Sequence, residues 1–228
     1  MGFVANLSYL NIWCADFSEE TMLARFGAFL GTVPVSAKRP GFTHLTVRAV
    51  DSFEAPVFEE DLRALPLHAG EILDLMKEHL HADVSYQVSC HWDLSVFDAA
   101  AGSPQSGPQA LEIFCHGEEY DGGLWRESGH MEVCFGFEHL FTGHAGMLGV
   151  ERRAGALPQG SEEARFFEAM AWPENLEKYQ QMTRENIRKL LDWVERIEQA
   201  VPAQRVRLWS EGEENLEARL EDILAKRG

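Results

Sequence analysis

Four times in this chain a histidine is followed two residues later by an acid: His81/Asp83, His91/Asp93, His116/Glu118 and His130/Glu132. An imidazole beside a carboxylate can move protons near neutral pH, and several such pairs together can hold a divalent metal. Successive side chains of a strand alternate faces, so residues two apart share one face, about 6–7 Å from each other. The nine histidines at this acid content give roughly 1.5 such pairs by chance. The excess is small, and the same pattern describes a solvated sheet face on which the pairs have little energetic effect.

The elements that would position these residues are legible. Val84, Tyr86, Val88, Cys90, Trp92, Leu94 and Val96 alternate with small and polar residues, the signature of an antiparallel strand with one face on a core. Leu111, Ile113 and Cys115 repeat the alternation over 111–118, and Met131, Val133, Phe135 and Phe137 over 130–138. If these three strands are neighbours, His91, Asp93, His116, Glu118, His130 and Glu132 share the face opposite the apolar one. Glu112 joins them there. That set is the candidate site, for a divalent metal or for acid–base chemistry. A one-residue slip over 111–118 would turn His116 inward. Trp125, beside the turn signal Tyr120-Asp121-Gly122-Gly123, is a candidate contact residue, or a cover for the loop beside it.

Before these strands the chain reads β-α-β. There is a strand at 7–16, a helix capped by Ser18 and carrying Met22, Phe26 and Phe29, and a strand at 42–50. Residues 51–66, with Pro56 and Pro66, read as a surface connection, and 67–81 as a helix. Residues 99–109 read as a Gly/Pro/Ser loop and 143–160 as a long connection. Helices follow at 161–171 and 173–200, the second bearing Ile187, Leu190, Val194, Ile197 and Val201 at 3-4 spacing. A short strand at 204–209 and a helix on Leu216, Leu220 and Ile223 close the chain. The expectation is one α+β domain over 1–228. A mixed, largely antiparallel sheet (β-α-β-α-β-β-β) has helices on one face, and a mainly helical region, 143–228, packs on the sheet-bearing part, 1–142.

The formal charge is −17, and it is uneven. Residues 1–150 hold 21 acids against 7 Lys and Arg, and residues 151–228 hold 16 against 13. A basic face for nucleic acid or for an anionic membrane is therefore disfavoured. Acidity on this scale suits a basic protein partner approached by electrostatic steering, or solubility alone. No secretory, lipidation or membrane-spanning pattern is read at the N-terminus or elsewhere, which makes the cytoplasm the expected compartment. Cys14, Cys90, Cys115 and Cys134 read as free, core-filling thiols.

No nucleophile elbow, phosphate loop, zinc-protease or dinucleotide signature occurs, so no cofactor is called for beyond a possible divalent metal. Three readings stay open: an interaction module for a basic protein; a metal or acid–base site on the His/carboxylate face; and a homo-oligomeric module using the 187–201 stripe.

Overall fold

Strict alternation from Val84 onward produces the longest strand among the described residues, and its apolar half faces the core. In the computed structural model, which describes residues 6–143 and 160–225, the strands are β1 (Leu7–Cys14), β2 (His44–Ala49), β3 (Phe58–Asp61), β4 (Val84–Asp98), β5 (Ser103–His116), β6 (Met131–Phe137) and β7 (Ala203–Ser210). The readings made on residues 1–5 and on most of 143–160 lie outside the described residues. The strands form one sheet in the order β3-β2-β4-β5-β6-β1-β7, and every pairing is antiparallel.

The longer helices lie on one face: α1 (Glu19–Leu30), α2 (Ala69–Lys77), α6 (Pro173–Ala200) and α7 (Leu216–Ala225). Leu10, Ile12, Tyr86, Val88, Ile113 and Val133 from the strands meet Phe26, Ile72, Leu190 and Trp193 from the helices in one apolar cluster. Short helices α3 (Trp125–Ser128) and α4 (His139–Thr142) flank β6, and α5 (Glu162–Met170) precedes α6. Among the described residues no helix is long and apolar enough to cross a membrane. Cys14, Cys90 and Cys115 are buried, and all four cysteines are free.

Two segments read as loops join the sheet. Residues 58–61 pair with β2 as an edge strand, where three consecutive acids mask any strand propensity. Residues 103–110 extend β5, paired to β4 as far as Asp98 opposite Ser103. Pro104 and Pro108 are tolerated because β6 pairs only with residues 112–115, so this stretch of β5 has one open edge. The C-terminal part also does more than cover the sheet, since β7 pairs with β1 and forms an edge.

The apolar stripe of α6 packs within this chain. Ile187, Leu190, Ile197 and Val201 are buried in the common core, so the stripe is not available as an interface between copies. Beside it, Asn186 is fully buried. Its Oδ1 accepts from the Ser95 amide at 3.0 Å, and its Nδ2 donates to the carbonyls of Ser95 at 2.9 Å and Leu140 at 3.1 Å. The side chain thus completes backbone hydrogen bonds of β4 beyond the end of β2, on the side away from β5, where no strand among the described residues lies alongside.

Asn186→Ala leaves the Ser95 amide and two carbonyls without that partner, and a buried group so stranded costs about 1–3 kcal/mol. Loss of about 2–3 kcal/mol in urea unfolding, with the fold retained, is expected. A loss below 0.5 kcal/mol (roughly the surface-substitution level) would show that water replaces the amide.

Candidate functional site

The face of the sheet opposite the helices carries the polar half of the alternation. Directly opposed residues share a face, and the register lines up Arg48, Ser85 and His116 in one row. Thr46, Gln87, Phe114, Glu132 and Asn11 make the next row, and His44, Ser89, Glu112, Cys134 and Tyr9 the third.

The histidines and acids singled out from sequence divide into separate settings on this face. His91 and Asp93 lie six or more residues along β4 from Ser85, roughly 20 Å away at strand rise. There Asp93 Oδ1 accepts from Ser36 Oγ at 2.6 Å and Oδ2 from the Ala37 amide at 2.8 Å. These bonds, the serine's foremost, hold its carboxyl below the usual range. His91 Nε2 lies 3.2 Å from Arg39 Nη1, and burial, aided by that cation, lowers its pKa. Glu118 is exposed beyond the end of β5, and its carbonyl accepts from Trp125 Nε1 at 3.1 Å. Glu112 accepts from Gln87 and Ser89 at 3.1 and 2.9 Å. Of the four His-x-acid pairs, it is at His81–Asp83, an exposed pair before β4, that the ring meets its own acid, at 2.7 Å. Among the described residues no three His, Cys, Asp or Glu side chains gather to hold a metal ion.

His130 has a packing role. Its ring is stacked between Phe17 and Trp125, centroids 4.2 and 4.4 Å away, and its Nδ1 accepts from the Cys14 amide at 3.0 Å. Trp125 therefore covers that ring rather than standing free. Gly129 is required beside it: φ is +80°, and a Cβ would lie 2.8 Å from the Ile12 backbone.

His116, Glu132 and their neighbours do converge. A cleft of about 190 Å³ opens on this face. Its floor is Ser85, Gln87, Phe114 and His116. Arg48 and Glu132 stand on either side, and Ser52, Tyr120 and Leu124 come from the loops over it. His116 Nδ1 is 2.9 Å from Ser85 Oγ, and burial pushes its pKa down to about 4. Glu132 Oε2 accepts from Asn11 Nδ2 at 2.9 Å, and its carboxyl is raised, chiefly by burial. A wider groove of about 600 Å³ between α1 and α2 is lined by Leu23, Leu73 and the surface residues Glu71, Asp74 and Lys77, with no convergent set of polar groups.

One wall of the cleft belongs to a loop that is unusually well held. Val50 has φ +73°, a left-handed conformation that a β-branched residue resists. Its amide donates to the Asp83 carbonyl at 2.9 Å, and its carbonyl accepts from the Asp121 amide at 2.8 Å. Ser52 Oγ donates to Asp121 Oδ2 at 2.7 Å, and Asp51 Oδ1 accepts from the amides of Phe53 and Glu54. At the tip of this braced loop Phe53 is 95% exposed. Val57 and Leu65 are also exposed, on either side of β3 with its Glu59, Glu60 and Asp61. Nothing in the sequence flags Phe53, whose exposure only the loop geometry reveals.

Comparison with family models, with curated proteins and with solved structures returns no match for this chain.

Two outcomes follow. A histidine with a folded pKa near 4 takes up its proton more readily when unfolded, where the pKa is about 6.5. His116 and His130, both lowered by burial to about 4, therefore contribute fully above about pH 6.5. That contribution is lost as pH falls toward 4. Glu132, raised above 4.5, acts oppositely, because its burial is relieved as it protonates. The urea midpoint should fall between about pH 7.5 and about pH 5, with both rings of the folded protein still mostly neutral by NMR at the lower value. Rings that are already charged at about pH 5 in the folded protein would mean they are not buried as described. Separately, Val50→Asn should raise stability by about 1 kcal/mol, since Asn tolerates this backbone region. A destabilised variant would show that the exposed valine packs usefully.

Proposed function

We propose that this protein binds a basic protein partner, docking it on the acidic surface formed by β3 and the Phe53 loop. The observation that carries the reading is Phe53 itself: a phenyl ring almost wholly in solvent, on a loop braced by backbone and side-chain hydrogen bonds on both sides. A rigid exposed aromatic is the usual form of a binding anchor, because little conformational freedom remains to be lost on association.

The surroundings support the sign of the partner's charge. Asp51, Glu54, Glu59, Glu60 and Asp61 lie within one short segment. Glu59 contacts His44 at 3.4 Å and Asp61 contacts Arg63 at 2.5 Å. Glu54 and Glu60 pair with no cation among the described residues. Acids on an open sheet edge also keep another strand from adding to it, so the partner would meet side chains rather than extend the sheet. Steering by the charge, and anchoring by the ring, are separable contributions.

The test is capture from a lysate of the source cells by immobilised protein, at about 0.05 M and about 0.5 M salt, comparing the unaltered chain with Phe53→Ala and with Glu54→Lys/Glu60→Lys. The expected result is a basic protein retained at low salt. Its affinity should fall at least tenfold (about 1.4 kcal/mol) for Phe53→Ala, and its association should slow for the charge reversal. No retained protein that depends on both Phe53 and salt would refute the reading.

A further inference from the structure

The cleft beside this surface carries a different chemistry, with a cation and a carboxylate both in its lining. We propose that it binds a small carboxylate bearing a hydrogen-bond donor at its other end, an amino acid or hydroxy acid in type. The acid group would sit on Arg48 and the donor on Glu132.

Arg48 is the first reason. The chain has 37 acids against 20 Lys and Arg, yet this guanidinium pairs with no carboxylate among the described residues. It bonds instead to the neutral amide oxygen of Gln87, at 3.2 Å, which leaves donors of its planar fork for a bidentate acceptor. Arg48 is the cation in the lining of this cleft, and the donors it does not spend on Gln87 are available to an anion that enters.

Glu132 is the second. It lines the same cleft and also pairs with no cation among the described residues. Arg48 is on β2 and Glu132 on β6, three strand spacings apart in the sheet order, or about 14 Å between backbones. Both side chains line the cleft with Gln87 and Phe114, which stand on the two strands between theirs, and they form no ion pair with each other, so a cation and a carboxylate share the rim of one small space. A ligand with complementary ends would bridge them.

The rest of the cleft sets size and middle. At about 190 Å³ it lies below the range that takes drug-sized ligands. Phe114 and Leu124 supply apolar contact for a short carbon chain. Ser85 and His116 are already engaged with each other at 2.9 Å. Burial keeps the imidazole neutral at pH 7, so it adds no second cation to compete with Arg48. This inference stands apart from the docking reading: it needs neither Phe53 nor the β3 acids.

The test is a titration of the ¹⁵N-labelled protein with 4-aminobutyrate, 4-hydroxybutyrate, butyrate and butylamine, following the amides of Gln87, Phe114 and His116. The two bifunctional acids should give saturable shifts, with butyrate about tenfold weaker and butylamine without effect. Arg48→Gln should abolish saturation for every acid, and Glu132→Gln should bring 4-aminobutyrate and butyrate to within about twofold of each other. No saturable shift from any acid, an equal response to butylamine, or unchanged binding in Arg48→Gln would each overturn the assignment. The ligand series on the unaltered protein decides it even if a variant fails to fold.

Discussion

Fourteen consecutive residue pairs lock β4 against β5, from Ser85 opposite His116 to Asp98 opposite Ser103. Because side-chain direction alternates with a period of two, this one register assigns every neighbour to a face. Tyr86, Val88 and Cys90 meet Cys115, Ile113 and Leu111 under the helices, and Ser85, Gln87 and Ser89 meet His116, Phe114 and Glu112 on the other side. A slip by one residue would place His116 and Glu112 in the apolar layer, each without the partner it now has. The cost of burying such groups unpaired is several kcal/mol, so the polar face enforces the register as firmly as the core does. The cleft is thus a by-product of the same pairing that builds the hydrophobic layer.

Two loops complete what the strands begin. The turn at Tyr120–Gly122 and α3 lie over the polar face at one end, and Asp121 ties them to the strained Val50 and to Ser52. Val50 and Asp121 both have positive φ, and each bonds the backbone or side chain of the other's loop. Strain at two such residues, worth of order 1–3 kcal/mol each, persists only where the surroundings fix the geometry. Here the same bonds support Tyr120 above the cleft and hold Phe53 out from the surface. The candidate ligand space and the candidate docking surface therefore share a support while using different side chains.

Much of this was legible because it depends on local period. The β4 alternation, the α1 and α6 stripes and the sidedness of His91, His116 and Glu132 all follow from residues a few positions apart. What escaped the sequence depends on distant pairing. Asn11 looks unremarkable in its strand, yet it donates to Glu132, 121 positions away, and accepts from the indole of Trp209. Asn186 reads as one more polar residue on a helix, and Ser95, whose backbone it completes, is 91 positions away. The strand at 58–61 and the first half of β5 were hidden by acids and prolines, residues that edges accept and central strands do not. The spacing to Glu132 makes His130 a candidate ligand in the sequence. Its two aromatic neighbours, Phe17 and Trp125, come from other elements, and they decide its role.

Electrostatics separates the two functional readings on this small area. A chain with formal charge −17 surrounds itself with a negative potential that draws a basic protein in and pushes a small anion away. Salt screens both effects over a Debye length of about 8–10 Å near physiological strength. Docking at the β3 acids is exposed to that screening in full and weakens as salt rises. A carboxylate on Arg48 enters a recess that Glu132 also lines, so its attraction to the adjacent cation acts at contact distance, and screening removes mainly the long-range repulsion of the acids outside. Its binding is therefore expected to hold or strengthen under the salt that releases the protein partner. The opposite signs arise from the same charge distribution: most of the acids are on the outside, and one cation without a carboxylate partner lines the cleft.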